Sequence, residues 1–141
     1  MFASKRMAVS SLILLLMLIV SCGREIQARD TVTVDGLLYE IGQDQPFTGI
    51  VIGKGREDYR IESYAFRKEY KDGVPDGESV FIYPSGKLES KVPYKNGKIN
   101  GFVMRYWPNG KPKARIHFVN DMRGGLKGEM FWDQNGRLID G

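Results

Sequence analysis

The stretch that decides the fold reads Gly77-Glu-Ser-Val-Phe-Ile-Tyr-Pro-Ser-Gly86-Lys-Leu88, and it recurs along the chain. A second copy, Gly101-Phe-Val-Met-Arg-Tyr-Trp-Pro-Asn-Gly110-Lys-Pro112, begins 24 residues later. A third and shorter copy is Gly128-Glu-Met-Phe-Trp-Asp-Gln-Asn-Gly136-Arg-Leu138. A more divergent copy, the first along the chain, begins at Pro46-Phe47-Thr48-Gly49. Self-similarity at a fixed spacing indicates a repeat architecture, with units that start near residues 46, 77, 101 and 128.

Each unit has the pattern of two strands and a tight turn. From Leu88 to Lys95, and again from Pro112 to Phe118, apolar or small side chains alternate with charged ones. A period of two indicates a half-buried strand. The preceding segments, 78–83, 102–107 and 129–133, are rich in the aromatic and apolar residues that strands favour. The sequence therefore predicts an all-β fold, an antiparallel meander of repeated hairpins over residues 35–141.

Glycines mark the turns of this pattern. Asn-Gly and Asp-Gly pairs are expected to form two-residue hairpin turns, because both residues tolerate a positive φ. The pairs Asn96-Gly97 and Asn109-Gly110 are examples. The predicted turn glycines are Gly73, Gly86, Gly97, Gly110 and Gly136.

Alignment of the units from their turns predicts which side chains share a face of the sheet. One set of rows is expected to form the buried side, together with the apolar faces of the alternating strands: Val80, Met104 and Met130, then Ile82, Tyr106 and Trp132. The opposite positions mix aromatic and charged residues, and four of them are candidates for an interaction face: Phe81, Tyr83, Arg105 and Trp107. Trp, Tyr and Arg dominate the energetics of protein interfaces. For Tyr83 and Trp107 core packing or cross-strand stacking is the favoured interpretation.

The first 22 residues have the features of an export signal. Lys5 and Arg6 precede an apolar run, Met7 to Val20, that is too short to cross a bilayer of about 30 Å. Ile19-Val20-Ser21-Cys22 then resembles the lipobox of bacterial lipoproteins. The resemblance implies a signal peptide over residues 1–21, lipidation of Cys22 and a tether over residues 22–34. A conventional secretory signal or an uncleaved short anchor are the alternatives.

The resemblance therefore implies that the protein is exported and held at the bacterial cell envelope by its lipid. Gly23 rather than Asp follows the cysteine, which resembles the sorting pattern for the outer membrane, facing either the periplasm or the surface. Cleavage would leave 19 basic and 17 acidic residues, a net charge of +2. Because these charges are interspersed, no nucleic-acid partner is expected.

Composition also limits the chemistry. The single cysteine excludes a disulfide framework, and the single histidine excludes the usual catalytic metal sites with two or three histidines. His117 is expected to be a solvent-facing strand residue, and Glu89 a partner for a neighbouring Lys or Arg. No phosphate-binding loop or nucleophile elbow is present in the sequence. We expect no enzyme activity, no cofactor and no metal.

The unit of aromatic-Pro-Asn-Gly-Lys, an alternating strand and then Tyr94-Lys-Asn-Gly97-Lys resembles the MORN-type repeat. More closely, it is similar to the variant found in YwqK-like antitoxin proteins. The resemblance covers residues 46–140 and implies a repeat sheet of structural residues, without a defined activity.

Two functions are compatible with this sequence. The first is a membrane-anchored module that binds an unidentified envelope protein, with immunity to an envelope-acting toxin as a special case. The second is a lipid- or glycan-contacting surface module, suggested by basic residues at positions 87, 91, 95, 111, 113 and 115.

Overall fold

The computed structural model describes residues 23–55 and 64–140, and nearly all of the regular structure in them is β. Residues 1–22 lie outside the described residues, so the signal peptide and the lipidation of Cys22 stay predictions. A single 3-10 turn covers Ala28–Asp30. The strands are β1 Glu25–Gln27, β2 Thr31–Val34, β3 Leu37–Glu40, β4 Gly49–Gly55, β5 Tyr64–Lys71, β6 Val74–Pro75, β7 Gly77–Ile82, β8 Leu88–Lys95, β9 Lys98–Ile99, β10 Gly101–Tyr106, β11 Pro112–Val119, β12 Met122–Arg123, β13 Met130–Trp132 and β14 Leu138–Asp140.

One long sheet contains all of these strands except β2 and β3, which form a separate hairpin. Its order is β1-β4-β5-β7-β8-β10-β11-β13-β14, and the short strands β6, β9 and β12 pair with the ends of β5, β8 and β11. From β4 onward every pairing is antiparallel. The predicted all-β meander of hairpins is therefore confirmed.

The N-terminal part of the sheet differs from the prediction in two ways. Strand β1 pairs with β4 in parallel, because the chain passes through the β2–β3 hairpin before it returns to the sheet. Residues 25–34 form strands and a 3-10 turn, so the predicted tether over residues 22–34 is wrong for this part. Backbone pairing holds this charged segment in the sheet. Its polar sequence has no apolar alternation over β1, and it therefore did not indicate a strand there.

Two kinds of turn alternate along the sheet, one kind at each end of its strands. We call these two ends of the strands the edges of the sheet. At Asp72-Gly73 and Asn96-Gly97 both residues have positive φ, as predicted for two-residue hairpin turns. At Tyr83 to Lys87 the N–H of Gly86 donates to the carbonyl oxygen of Tyr83 at 2.8 Å, and Gly86 alone has positive φ. The turns that end at Gly110 and Gly136 repeat this geometry. The prediction that Asn109 has positive φ is wrong, since the three-residue loop needs only its glycine in that conformation.

We call the edge that carries Asp72-Gly73, Asn96-Gly97 and Asn120-Asp121 the tight-turn edge. There the residue before each unit's first glycine contacts the tight turn that follows the second strand of the same unit. The hydroxyl oxygen of Thr48 accepts a hydrogen bond from the N–H of Asp72 at 2.9 Å. The carboxylate of Asp76 accepts one from the N–H of Asn96, also at 2.9 Å. These contacts hold the start of a unit's first strand against the turn that ends its second strand.

The core lies on one face of the sheet, which we call the buried face. Phe81, Val92 and Val103 form its central cluster and are at most 9% exposed. Ser79 and Ser90, which pair with Val92 and Phe81, extend the buried face, as does Ala114 of the neighbouring strand β11, and all three are buried. Phe66, Tyr94, Ile99 and Phe118 pack against the cluster.

The predicted rows lie on the other face, so this prediction is wrong. Val80 pairs with Lys91, whereas Phe81 pairs with Ser90 and Ser79 with Val92. Because successive strand residues point to opposite faces, a shift of one residue between neighbouring strands reverses the assignment. The six residues are each half-buried: Val80, Ile82, Met104, Tyr106, Met130 and Trp132.

Candidate interaction surface

The face opposite the core, which we call the open face, is built from two rows that cross the sheet. In the first row apolar and basic residues alternate from strand to strand. The register places Val80 beside Lys91, Lys91 beside Met104, Met104 beside Arg115 and Arg115 beside Met130. All five side chains are half-buried, so none is withdrawn from the surface.

The second row is apolar throughout and lies toward the edge with the three-residue turns. It consists of three cross-strand pairs: Ile82 with Leu88, Tyr106 with Pro112, and Trp132 with Leu138. Leu138 is 52% exposed and Pro112 is exposed, while the other four are half-buried. A continuous and partly exposed apolar surface of this kind marks an interaction site more often than scattered single residues do.

Of the four residues predicted to form an interaction face, Phe81 lies in the core at 8% exposure, and the prediction is wrong for it. Tyr83 and Trp107 are half-buried and make hydrogen bonds to the next unit. The Tyr83 hydroxyl donates to the carbonyl oxygen of Tyr106 at 2.8 Å, and Trp107 Nε1 donates to that of Trp132 at 3.0 Å. Their role in the fold is therefore to join units.

Arg105 is the exposed member of the four. Its guanidinium bonds the carboxylate of Glu89 at 2.9 Å, which confirms the expected pairing of Glu89 with a neighbouring cation. The Arg105 side chain is 48% exposed and that of Glu89 is 12% exposed. Arg105 pairs with Ala114, which places it on the buried face beyond the core cluster.

Most of the basic residues that suggested a lipid or glycan surface have partners within the chain. Lys91 lies 3.4 Å from Glu78, and Lys95 lies 3.7 Å from Asp76. Lys111 Nζ donates to the carbonyl oxygen of Asn135 at 2.8 Å. Two further cations lie over aromatic rings, Lys113 over Trp107 at 4.3 Å and Arg115 over Phe102 at 3.8 Å. These contacts give the cations structural roles and weaken the case for a dedicated anion site.

His117 extends this stack on the open face. Its ring lies 4.8 Å from that of Phe102, with an angle of 29° between the planes, and the residue is half-buried. His117 therefore lies on the outward side of its strand, as expected, and stacking on Phe102 leaves it half-buried. Phe102 lies between His117 and Arg115, so the three side chains form one packed group.

Sequence reasoning missed a buried ion pair in the third unit. Glu129 is 2% exposed, and its carboxylate contacts Arg123 Nε at 2.9 and 3.0 Å. The N–H of His117 donates to the same carboxylate at 3.2 Å. Hydrogen bonding from Arg123 is the main cause of a lowered Glu129 pKa, opposed by desolvation. Alignment from the turns places Glu129 at the position of Ser79 and Val103, but the predicted faces put that position on the outward side, so the sequence did not indicate a buried pair.

Among residues 23–55 and 64–140, no group of three or more His, Cys, Asp or Glu side chains is arranged to hold a metal ion. Within the same ranges, no helix is both long and apolar enough to cross a membrane.

Comparison with known protein families agrees with this geometry. A family described as MORN repeat variant matches residues 75–96 and 103–120. These two segments are therefore similar to MORN-type repeats. The matched segments contain β7 with β8 and most of β10 with β11, the two central hairpins of the sheet. No curated protein and no solved structure matches the chain. MORN-type repeats are commonly modules for interaction with proteins or membranes, and the family is generally non-enzymatic.

Proposed function

We propose that this protein is a non-enzymatic module of the cell envelope, anchored by a lipid at Cys22, which binds another envelope protein through the open face. The observation that carries the proposal is the pair of half-exposed rows. They place Val80, Met104 and Met130 beside Ile82, Tyr106 and Trp132, and the register keeps these residues on one face.

The chemistry of the open face suits a protein partner. Aromatic residues, methionine and arginine are enriched at protein interfaces, and each occurs in the two rows. Lys91 and Arg115 flank the apolar side chains, so acidic residues around an apolar patch on the partner would complement this surface.

The anchor rests on the sequence of the first 22 residues. Two basic residues, a short apolar run and the single cysteine in a lipobox-like context support export and lipidation. A lipidated module would meet partners in the envelope. Immunity to a toxin that acts there is one form of this function, supported by the similarity to the repeat variant of antitoxin proteins.

Two neighbouring residues of β10 allow a sharp test, because their side chains lie on opposite faces. Met104→Gln alters the open face, and Arg105→Gln alters the exposed end of the buried face. The full-length protein and both variants are cross-linked in intact cells and captured, and the captured proteins are identified by mass spectrometry. We expect one stoichiometric partner that the wild type and Arg105→Gln capture and that Met104→Gln loses.

Two controls define the result. Thermal unfolding of both variants checks that the fold is retained. Flotation with vesicles checks that both variants stay anchored. Capture that is unaffected by Met104→Gln but lost with Arg105→Gln would assign binding to the other face, and the proposal would be wrong.

A further inference from the structure

The described chain joins the sheet at its very first residues, which leaves almost no spacer after Cys22. The carbonyl oxygen of Arg24 accepts a hydrogen bond from the N–H of Ile50 at 2.7 Å. A Cβ on Gly23 would lie 3.4 Å from the Ile50 side chain, so Gly23 also packs on β4. Consecutive Cα atoms are about 3.8 Å apart, and a lipid on Cys22 is therefore attached within one residue of the sheet.

The position of Arg24 fixes which edge of the sheet the lipid is near. Arg24 lies against Gly49, the first residue of β4, and Gly49 pairs with Tyr70 just before the Asp72-Gly73 turn. The chain therefore enters the sheet at the tight-turn edge. The edge with the three-residue turns lies at the other end of the long strands.

Exposed apolar side chains occur at the tight-turn edge, although Leu138 and Ile139 are also exposed beside the opposite edge. Val119 and Met122 pair across the Asn120-Asp121 turn and are 42% and 71% exposed. Leu126, in the loop that follows β12, is 75% exposed. Val34 is 49% exposed and pairs with Leu37, which contacts the Asp72-Gly73 turn.

From these observations we propose that the tight-turn edge is the membrane-facing surface, with Val119, Met122 and Leu126 in the headgroup region of the bilayer. The inference rests on the proposed lipidation of Cys22. A short attachment keeps the edge at the bilayer, and apolar side chains that enter the interface add to the binding that the acyl chains provide.

The charged groups of this edge are compatible with that position. The carboxylate of Asp76 is held by the N–H of Asn96, which lowers its pKa, and it lies near Lys95. Asp121 accepts a hydrogen bond from the N–H of Ile99 at 2.7 Å. Both carboxylates therefore bond backbone groups. Lys71 and Lys98 are exposed at this edge together with Asp72, and the two cations would favour anionic headgroups.

This orientation also bears on the open face. Because the long strands run from the tight-turn edge to the opposite edge, a sheet that contacts the bilayer by one edge stands upright on it. Both faces then remain open to the aqueous phase, and the open face stays accessible to a protein partner.

Position-specific labelling tests the orientation. Cys22 is the single cysteine and is blocked when lipidated, so an introduced cysteine takes an environment-sensitive fluorophore alone. Met122→Cys places the label at the tight-turn edge, and Gln134→Cys places it in an exposed turn at the opposite edge. The full-length lipidated variants are reconstituted in vesicles of phosphatidylethanolamine and phosphatidylglycerol. We expect blue-shifted emission and loss of quenching by aqueous iodide for Met122→Cys, and neither change for Gln134→Cys.

Each other outcome has a distinct meaning. Equal emission and equal quenching at both positions in lipidated, vesicle-bound protein would overturn the orientation and leave the anchor and the open face unaffected. Shielding of Met122→Cys only after envelope proteins are added would also overturn it, because the edge would then contact a protein. Mass spectrometry that finds Cys22 unmodified would overturn both this inference and the proposed anchor.

Discussion

Trp107 Nε1 donates a hydrogen bond to the carbonyl oxygen of Trp132, 25 residues further along the chain, at 3.0 Å. One unit earlier the Tyr83 hydroxyl makes the equivalent contact with the carbonyl oxygen of Tyr106 at 2.8 Å. The aromatic residue before the proline of each turn therefore joins its unit to the next. In the third unit the equivalent residue is Asp133, which instead accepts hydrogen bonds from Asn135 and Arg137 in its own turn.

Removal of this contact should destabilise the sheet by a small and measurable amount. Tyr83→Phe deletes the hydroxyl and keeps the ring, so the half-buried carbonyl of Tyr106 loses a donor. We expect the free energy of unfolding to fall by about 1 kcal/mol, measured by urea denaturation. Tyr106→Phe is the matched control, since the backbone carbonyl of that residue still accepts the bond. Equal losses in the two variants would contradict the assignment.

The two faces should differ in their sensitivity to truncation. Phe81→Ala removes a side chain that is 8% exposed in the central cluster, and it should lower the free energy of unfolding by roughly 3–5 kcal/mol. Tyr106 and Trp132 were expected on the buried side from the sequence, but both are half-buried on the open face, so Tyr106→Ala and Trp132→Ala should cost less. Denaturation of all three variants should show the largest loss for Phe81→Ala, and the opposite order would restore the original assignment of faces.

The fold was predictable because its signals are local. Turn glycines, a period of two and the repeated units each fix a short segment. The alternation in β8 correctly predicted that Ser90 and Val92 are buried, but it wrongly placed Leu88 on the same face. The assignment failed where two strands had to be combined. In the hairpin of β7 and β8 the register shifts between Phe81 and Ile82. A bulge of this kind cannot be predicted from composition. It adds one residue to one strand, so counting from the turn no longer gives the pairs of residues that lie opposite each other.

The site was less predictable than the fold for a related reason. In a repeat sheet the same residue types fill the core and the exposed rows. Met104 and Val103 are both apolar, so residue type does not indicate that Met104 is half-buried and Val103 is buried. The N-terminal strand β1 was missed because parallel pairing with β4 relies on backbone hydrogen bonds and shows no alternation over three residues.

Acid should destabilise the third unit through Glu129. Its pKa in the folded protein is lowered, chiefly by hydrogen bonds from Arg123, below the value of about 4.3 for an unperturbed Glu. The ion pair therefore contributes stability above that pH, and the contribution is lost as the pH falls through the folded pKa. Glu129→Gln should be less stable than the wild type near neutral pH and should lose less stability between about pH 5 and pH 3, as measured by urea denaturation across that range.

The Glu129→Gln variant should still lose some stability as the pH falls. The pKa of Asp76 is lowered by the N–H of Asn96, and that of Asp133 by the N–H of Arg137, so both carboxylates contribute with the same sign. Glu25→Gln, at an exposed position of β1, is the control and should follow the wild type. An unchanged pH dependence in Glu129→Gln would show that the ion pair does not contribute.

The first glycine of a central unit should not tolerate a side chain. Gly77 has a φ of 115°, and a Cβ there would collide with the side chain of Glu69. Gly77→Ala should lower the free energy of unfolding by about 1–3 kcal/mol, because it combines a strained backbone with that collision. Gly55→Ala is the control, since a Cβ there would meet Phe66 at an acceptable 3.4 Å. Similar melting temperatures for the two variants would contradict this interpretation.

Loss of the lipid should separate the protein from the membrane and leave its fold intact. In Cys22→Ala the thiol that would carry the diacylglycerol is absent, whereas β1 begins only at Glu25 and depends on pairing with β4. We expect the variant to be misprocessed or to appear in the soluble fraction, with a circular dichroism spectrum rich in β structure like that of the wild type. Fractionation and mass spectrometry of the N-terminus provide the measurement, and Gly23→Ala, which keeps the cysteine, is the control. A variant that stays with the membrane to the same extent as the wild type would show that residues other than Cys22 hold the protein there.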